Sequence, residues 1–146
     1  MSIEFNGYFY SKEKDRMSLA FSIFLNYFNI RKDINLHFSS LKSEQIKTAN
    51  RKAFNQSTIT DVITLPIYKN TNEILGSKNS DGFIGDILIY RPEVKRNAIK
   101  YGKSIAEEME LVLIHGLLHL SGFSHNEEKN LNYHQHRLME RIWNES

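Results

Sequence analysis

The sequence contains no cysteine and only two prolines among its 146 residues. Without cysteine, a disulfide framework, a thiolate metal ligand and a thiol nucleophile are all excluded. The absence of cysteine also fits a reducing compartment, and we expect a cytoplasmic protein. A strong excess of one charge is lacking too, because 19 basic and 17 acidic residues leave a formal net charge of only +2. Any surface that binds a polyanion must therefore arise from local clustering.

Long hydrophobic runs are also missing. The longest, LVLIHGLLHL at residues 111–120, is too short to span a bilayer and contains two histidines. The segment MSIEFNGYFYSKEKDR lacks a basic stretch followed by an apolar run, so we expect no signal peptide. With 40% hydrophobic residues and no repeats or linkers, the sequence predicts one soluble domain over residues 1–146, with no membrane partner.

Hydrophobic periodicity predicts an α/β (α+β) fold. Alternating patterns indicate about four strands, at residues 2–9, 33–40, 60–68 and 83–90. Helical spacing indicates five helices, at residues 17–28, 39–54, 92–102, 104–120 and 126–142. We expect a mixed sheet packed with helices. The polar face of 33–40 predicts an edge strand, and the nearly all-apolar 83–90 predicts an interior one.

The helix at 104–120 is predicted to run through the middle of the domain. Ser104 and Glu107 are spaced as a capping box at its start, and the residues that follow are apolar on nearly every side. Before it, Pro92 suits the first turn of a short helix, and Gly102 suits its end.

Three of the six histidines lie in HGLLHLSGFSH, residues 115–125. His115 and His119 are four residues apart and therefore share one helical face. Gly122 favours a helix end, after which the chain can fold back and bring His125 towards the other two. Three imidazoles around an open fourth position suit one zinc ion, with nickel or copper as alternatives. Coordination would also satisfy polar groups in an apolar segment.

The competing interpretation is that each histidine is simply hydrogen-bonded in the core or at the surface. We prefer it for the histidines outside the cluster. His37 is expected to be solvated on a polar strand face. His134 and His136 lie two apart on a helix and cannot share a face, although His134 is nearer the apolar stripe. In metzincin peptidases the residue after the first histidine is a glutamate that acts as general base, whereas this chain has Gly116.

The cluster resembles the H-G-x-L-H-L-x-G-[YF]-D-H signature of the YbeY family of bacterial rRNA-processing factors. Three further stretches are similar in order and spacing: TDVITLP at 60–66, GDILI at 85–89 and SIAEEMELVLIHG at 104–116. The resemblance implies a single domain related to zinc-peptidase folds, with one Zn²⁺ held by His115, His119 and His125.

The resemblance also implies a single-strand-specific, metal-dependent endoribonuclease. Its role would be 3′-end maturation of small-subunit (16S) rRNA and ribosome quality control. Its partners would be RNA and the small ribosomal subunit, not DNA. A non-catalytic, zinc-containing ribosome-assembly factor is the alternative, and a zinc peptidase is a weaker one because of Gly116.

The chain departs from the family pattern at two places. Ser124 replaces the usual aspartate before the third histidine, and Phe54 stands where the family has a functional arginine. We assign that arginine's role to Arg51, with Lys52 as a further candidate, as a cation for the developing phosphorane charge. The alternative is that both are ordinary solvated helix charges. Asp61 is predicted to act as a base or to orient a ligand, with turn chemistry as the alternative.

A basic surface is predicted from RPEVKRNAIKYGK, residues 91–103, which contains five cations and one acid. Near-helical spacing could align some of them into a strip that contacts phosphates, although a solvated helix face explains them equally well. A single-stranded substrate is favoured, because cleavage needs an accessible, unstacked backbone.

Overall fold

The structure, a computed structural model, describes residues 2–30, 33–54, 62–66, 82–121 and 128–145. Its strands are β1 (Ser2–Asn6), β2 (Ile34–Ser40), β3 (Val62–Pro66) and β4 (Gly82–Ile89). Its helices are α1 (Ser11–Tyr27), α2 (Ser43–Phe54), α3 (Arg91–Lys100), α4 (Ile105–Leu120) and α5 (Glu128–Glu145). The predicted α/β class is confirmed.

The strand order in the sheet is β1-β2-β4-β3. β1, β2 and β4 are parallel, and β3 pairs antiparallel with β4. The interior position predicted for β4 is confirmed, but the prediction that β2 is an edge strand is wrong, because β1 pairs along it. Burial alternates along β2, with Leu36 and Phe38 fully buried and Asn35 and His37 partly exposed. Its polar residues therefore mark the open face of the sheet and not the edge.

α4 is the central helix, as predicted. It packs against α1, α3 and α5 and against β3 and β4. The capping box is present: the Glu107 N–H donates to Ser104 Oγ and the Ser104 N–H donates to Glu107 Oε1, both over 3.1 Å. The apolar residues from Met109 to Leu120 are buried with few exceptions, so the helix that carries the histidines is held firmly in the core.

α3 and α4 begin and end close to the predicted residues, whereas α1 begins at Ser11, six residues before the predicted start at residue 17. Pro92 lies in the first turn of α3, and Gly102 follows the helix with a φ of +67°. Among the described helices, none combines the length and the apolar content required to cross a bilayer.

Candidate metal centre

α4 places His115 and His119 one turn apart on a partly exposed face. Their Nε2 atoms lie 2.9 Å from each other and their ring centroids 4.5 Å apart. The two Nε2 atoms therefore converge on one point beside the helix. Convergent imidazole nitrogens are the donors that zinc prefers when no thiolate is present.

Gln135 on α5 fixes the orientation of the first of these rings. The Nδ1 of His115 lies 2.7 Å from Gln135 Oε1. A carbonyl oxygen only accepts hydrogen bonds, so Nδ1 carries the proton and Nε2 of the neutral ring keeps its lone pair. In a metal site, a hydrogen bond of this kind sets the tautomer of the ligating histidine.

Gln135 was not predicted from the sequence. A signal for it exists, because Gln135 falls at helical spacing between the buried Leu131 and Leu138 and is a polar residue on an otherwise apolar inward face. A polar residue at such a position needs a partner inside the protein. Its partner is His115.

The two described histidines fit a metal in their donor chemistry. The His115 proton is on Nδ1, so in the contact between the two Nε2 atoms His119 donates its Nε2–H to His115. A cation between the two nitrogens can take the place of that proton. Within the described ranges, no group of three histidine, aspartate or glutamate side chains surrounds one point. His125 and Gly122 lie outside these ranges, so the third ligand stays a prediction.

The structure describes one of the two residues predicted to be catalytic. Asp61 lies outside the described residues. Arg51 is exposed in the last turn of α2, and within the described part of the chain it makes no hydrogen bond or ion pair with His115 or His119. Both assignments stay predictions.

His37 is not simply solvated, contrary to the prediction. Its Nε2 lies 2.8 Å from Glu4 Oε2 and its Nδ1 lies 3.3 Å from Asp86 Oδ1. The three residues form one row across β1, β2 and β4, because each is paired with the next in the strand register. This row exists because β2 is an interior strand and therefore has a neighbouring strand on each side. At an edge, His37 would have a neighbour on one strand only.

His134 faces a different helix from its neighbour Gln135. The Tyr27 hydroxyl on α1 lies 2.7 Å from His134 Nδ1. Burial, and then the charge of Arg137, lower the pKa of His134, so the ring stays neutral and Nδ1 can accept this hydrogen bond. The other histidine of α5 is His136, whose Nε2 lies 2.8 Å from Glu140 Oε1.

Three of the five cations in the predicted basic surface are paired with acidic side chains within the protein. Arg91 binds the buried Glu13 carboxylate over 2.6 and 2.9 Å. Lys103 lies 3.3 Å from the buried Glu108, and Arg96 lies 2.8 Å from Glu93. Of the five cations in residues 91–103, Lys95 and Lys100 are the two that form no ion pair with another described residue.

The ion pair between Glu13 and Arg91 shifts the pKa of both residues. Burial opposes ionisation of Glu13, but hydrogen bonds from Arg91 and from the Tyr10 N–H outweigh it and lower the pKa of Glu13. The hydrogen bond to Glu13 likewise raises the pKa of Arg91. Arg91 therefore has a structural partner that the sequence did not indicate, 78 residues away along the chain.

Fold and site together define an α+β protein with a candidate metal centre on its central helix. The model of the family described as Endoribonuclease YbeY matches residues 9–143. The chain belongs to the YbeY family, which confirms the resemblance inferred from the sequence.

Individual relatives give the extent of this similarity. A Mycoplasma mycoides protein named Endoribonuclease YbeY is 38% identical over 109 residues, which cover 71% of this chain and 64% of the relative. The chain thus spans less than two thirds of that relative's length. A Mesoplasma florum protein of the same name is 36% identical over 128 residues, covering 86% and 75%. A solution structure of a Thermotoga maritima protein has the same fold, with a TM-score of 0.65 and 22% identity over 98% of this chain and 90% of that one.

Proposed function

We propose that the protein is a single-strand-specific, zinc-dependent endoribonuclease with one zinc ion held by His115, His119 and His125. The observation that carries this proposal is the 2.9 Å approach of the two Nε2 atoms, with the lone pair of His115 kept on Nε2 by Gln135. The names of the relatives support the reaction class, since they are called endoribonucleases.

The residues of this chain have distinct parts in the proposed reaction. When bound, zinc supplies Lewis-acid chemistry and lowers the pKa of a coordinated water to about 7. His115 and His119 would hold the ion through Nε2, and Gln135 would keep His115 in the tautomer that allows this. We assign a proton-accepting or orienting role to Asp61, and charge stabilisation at the phosphate to Arg51.

The biological setting is proposed from the family resemblance. It comprises 3′-end maturation of small-subunit (16S) rRNA, ribosome quality control, the small ribosomal subunit as partner and a cytoplasmic location. The relation to zinc-peptidase folds has the same basis. A peptidase is disfavoured because Gly116 offers no carboxylate beside His115.

The second candidate function is a non-catalytic ribosome-assembly factor in which zinc is structural. Structural zinc sites are closed by four protein ligands, whereas three histidines leave one position open. A variant that loses the metal, keeps its fold and loses only RNA cleavage would exclude this candidate.

The first experiment is elemental analysis of purified wild-type protein and of His119→Ala. We expect near-stoichiometric zinc in the wild type and its loss in the variant, with both proteins folded by circular dichroism. His136→Ala is the matched control, because His136 is an exposed histidine paired with Glu140. The wild type, His119→Ala and the control are then assayed on single-stranded and duplex RNA. A folded wild type that takes up no metal after zinc is supplied would contradict the proposal.

A further inference from the structure

The segment between β1 and α1 displays two tyrosines on an anchored backbone. Phe9 is buried, and its ring centroid lies 5.2 Å from that of Phe5 and 5.3 Å from that of Phe38. Its neighbours Tyr8 and Tyr10 are 61% and 58% exposed. One aromatic residue thus fixes the segment in the core while the residues on either side present their rings to solvent.

Hydrogen bonds hold this segment at both tyrosines. Arg91 Nη2 donates to the Tyr8 carbonyl over 3.2 Å, and the Tyr10 N–H donates to Glu13 Oε1 over 2.9 Å. The two tyrosine rings meet edge to face at 5.0 Å, and the Arg91 guanidinium lies 5.7 and 5.6 Å from their centroids. The tyrosines are therefore ordered before any ligand binds, which lowers the entropic cost of binding.

Tyr8 is also one wall of a polar cleft. The cleft, of about 470 Å³, lies where β1 and β2 end and α2 begins, and that volume falls within the range of small-ligand sites. Polar side chains from three elements line it: Asn6, Ser39, Ser40, Lys42 and Gln45. Its shape depends on Gly7, whose φ is +83° and whose Cα approaches so closely that an added Cβ would lie 2.3 Å from the Ser40 carbonyl oxygen.

The chemistry of this surface matches a nucleotide better than a peptide. Exposed aromatic rings stack on nucleic-acid bases, and a lysine beside them can contact the phosphate. Serine hydroxyls and asparagine and glutamine amides can hydrogen-bond to ribose and base edges. Five of the eight residues that line the cleft have polar side chains, and an apolar peptide side chain would leave these without hydrogen-bond partners.

We propose that Tyr8, Tyr10 and Lys42 form a binding site for single-stranded RNA, separate from the metal centre. This inference rests on the proposed ribonuclease function and names where part of the substrate binds. Tyr10 precedes the first residue of α1, whereas Tyr27 at its last residue contacts His134, next to Gln135. A helix of 17 residues is about 25 Å long, so Tyr10 lies at the opposite end of α1 from the residue that contacts His134.

The test is binding of a fluorescein-labelled 2′-O-methyl decaadenylate by fluorescence anisotropy, using the purified protein and checking afterwards that the oligonucleotide is intact. The double variant Tyr8→Ala/Tyr10→Ala should raise Kd by about tenfold to hundredfold, the effect of losing one stacked base. Tyr8→Phe/Tyr10→Phe should restore binding, because phenylalanine also stacks. Tyr133→Ala is the control. Tyr133 is 57% exposed and lies beside an arginine, Arg137, as Tyr8 and Tyr10 do, but it is on α5 and away from the cleft.

Lys42→Ala tests the phosphate contact independently. It should weaken binding and reduce the dependence of log Kd on log salt by about 0.7, the contribution of one phosphate contact on a single strand. On an RNA long enough to reach the metal centre, the tyrosine variants should raise KM and leave kcat unchanged, because these residues lie far from the reacting atoms.

An unchanged Kd in the double variant would overturn the inference and favour a protein as the occupant of this surface. Equal affinity for a duplex would overturn the single-strand preference and with it the inference. A wild type that binds no single-stranded oligonucleotide would also overturn it. These outcomes are distinct from failure of the proposed function, which is decided by zinc content and RNA cleavage in the wild type and His119→Ala.

Discussion

Gln135 Oε1 lies 2.7 Å from His115 Nδ1, so an amide on α5 determines which imidazole nitrogen on α4 is available to a metal. The relationship joins two helices that meet only after the chain has folded. The candidate metal centre is thus a product of helix packing and not of the HGLLHLSGFSH segment alone.

Replacing this amide should weaken the metal centre without removing a ligand. Gln135→Leu cannot accept the Nδ1–H hydrogen bond, and loss of such a partner typically lowers metal affinity by about 10-fold to 100-fold. Gln135→Glu keeps an accepting oxygen and should retain the affinity. Competition with a chromophoric zinc chelator measures both variants.

The same variant should shift the His115 tautomer in metal-free protein. Long-range ¹H–¹⁵N NMR should show the Nδ1–H form in the wild type and an increase of the Nε2–H form in Gln135→Leu. Asn132→Leu, at an exposed position on the same helix, is the control. Equal zinc affinity and an unchanged tautomer in Gln135→Leu would refute the positioning role.

The stability of the protein should fall at mildly acidic pH because of His134. Burial lowers the pKa of His134 below its ordinary value of 6.5, so the unfolded chain binds more protons than the native protein just below that pH. The unfolding free energy is therefore expected to be greatest above pH 6.5 and to fall as the pH drops through the native pKa.

His134→Gln isolates this effect, because glutamine can bond to Tyr27 and does not titrate. Urea denaturation at several pH values between 5 and 8, on the wild type and the variant, measures the difference between their pH profiles. Parallel profiles would show that His134 does not contribute to the acid sensitivity.

Breaking the Glu13–Arg91 pair should be costly. Arg91→Met leaves a buried carboxylate without its cation, and the unfolding free energy should fall by about 3 kcal/mol. Since the pKa of Glu13 is lowered in the native protein, this loss is present above pH 4.5 and disappears as the pH falls through the native pKa. Arg96→Met, which removes an exposed pair with Glu93, should cost less than about 1 kcal/mol.

Chemical denaturation of the two arginine variants at pH 7 and pH 4 is the measurement. Glu13→Gln added to Arg91→Met should recover part of the stability, because the uncompensated charge is then removed. Equal losses for Arg91→Met and Arg96→Met would be incompatible with a buried ion pair of this strength.

Two glycines offer a matched pair of substitutions. Both have positive φ, but a Cβ on Gly7 would lie 2.3 Å from the Ser40 carbonyl oxygen, whereas one on Gly102 would meet nothing within 4 Å. Gly102→Ala should cost about 1 kcal/mol, the strain of a left-handed residue. Gly7→Ala should cost clearly more and lower the thermal midpoint further. Comparable midpoints in the two variants would refute the close approach.

The elements were predictable where local signals decide them. The capping box of Ser104 and Glu107, Pro92 in the first turn of α3 and the positive φ of Gly102 depend on neighbouring residues, and all are as the sequence indicates. The position of β2 in the sheet was not predictable in this way. The polar residues of β2 lie on the open face of the sheet. An interior strand with one open face has the same alternation of apolar and polar residues as an edge strand.

The part of the candidate site that lies on α4 was predictable from the sequence. The contacts that other helices make with it were not. His115 and His119 share a face because of helix geometry, which spacing alone gives. Gln135, the partner of His115, required the docking of α5. Arg91 and Lys103 were included in the predicted basic surface because their buried partners, Glu13 and Glu108, cannot be read from charge composition.

The ion pair between Glu13 and Arg91 has a consequence for how the sequence can change over time. Replacing Glu13 alone or Arg91 alone with a neutral residue leaves the other charge desolvated and unpaired. A lineage that acquired only one of the two replacements would therefore lose fitness. We expect the two positions to covary among relatives, as acid and base or as two neutral residues. Arg16 and the buried Glu110, which form a second pair between α1 and α4, should follow the same rule.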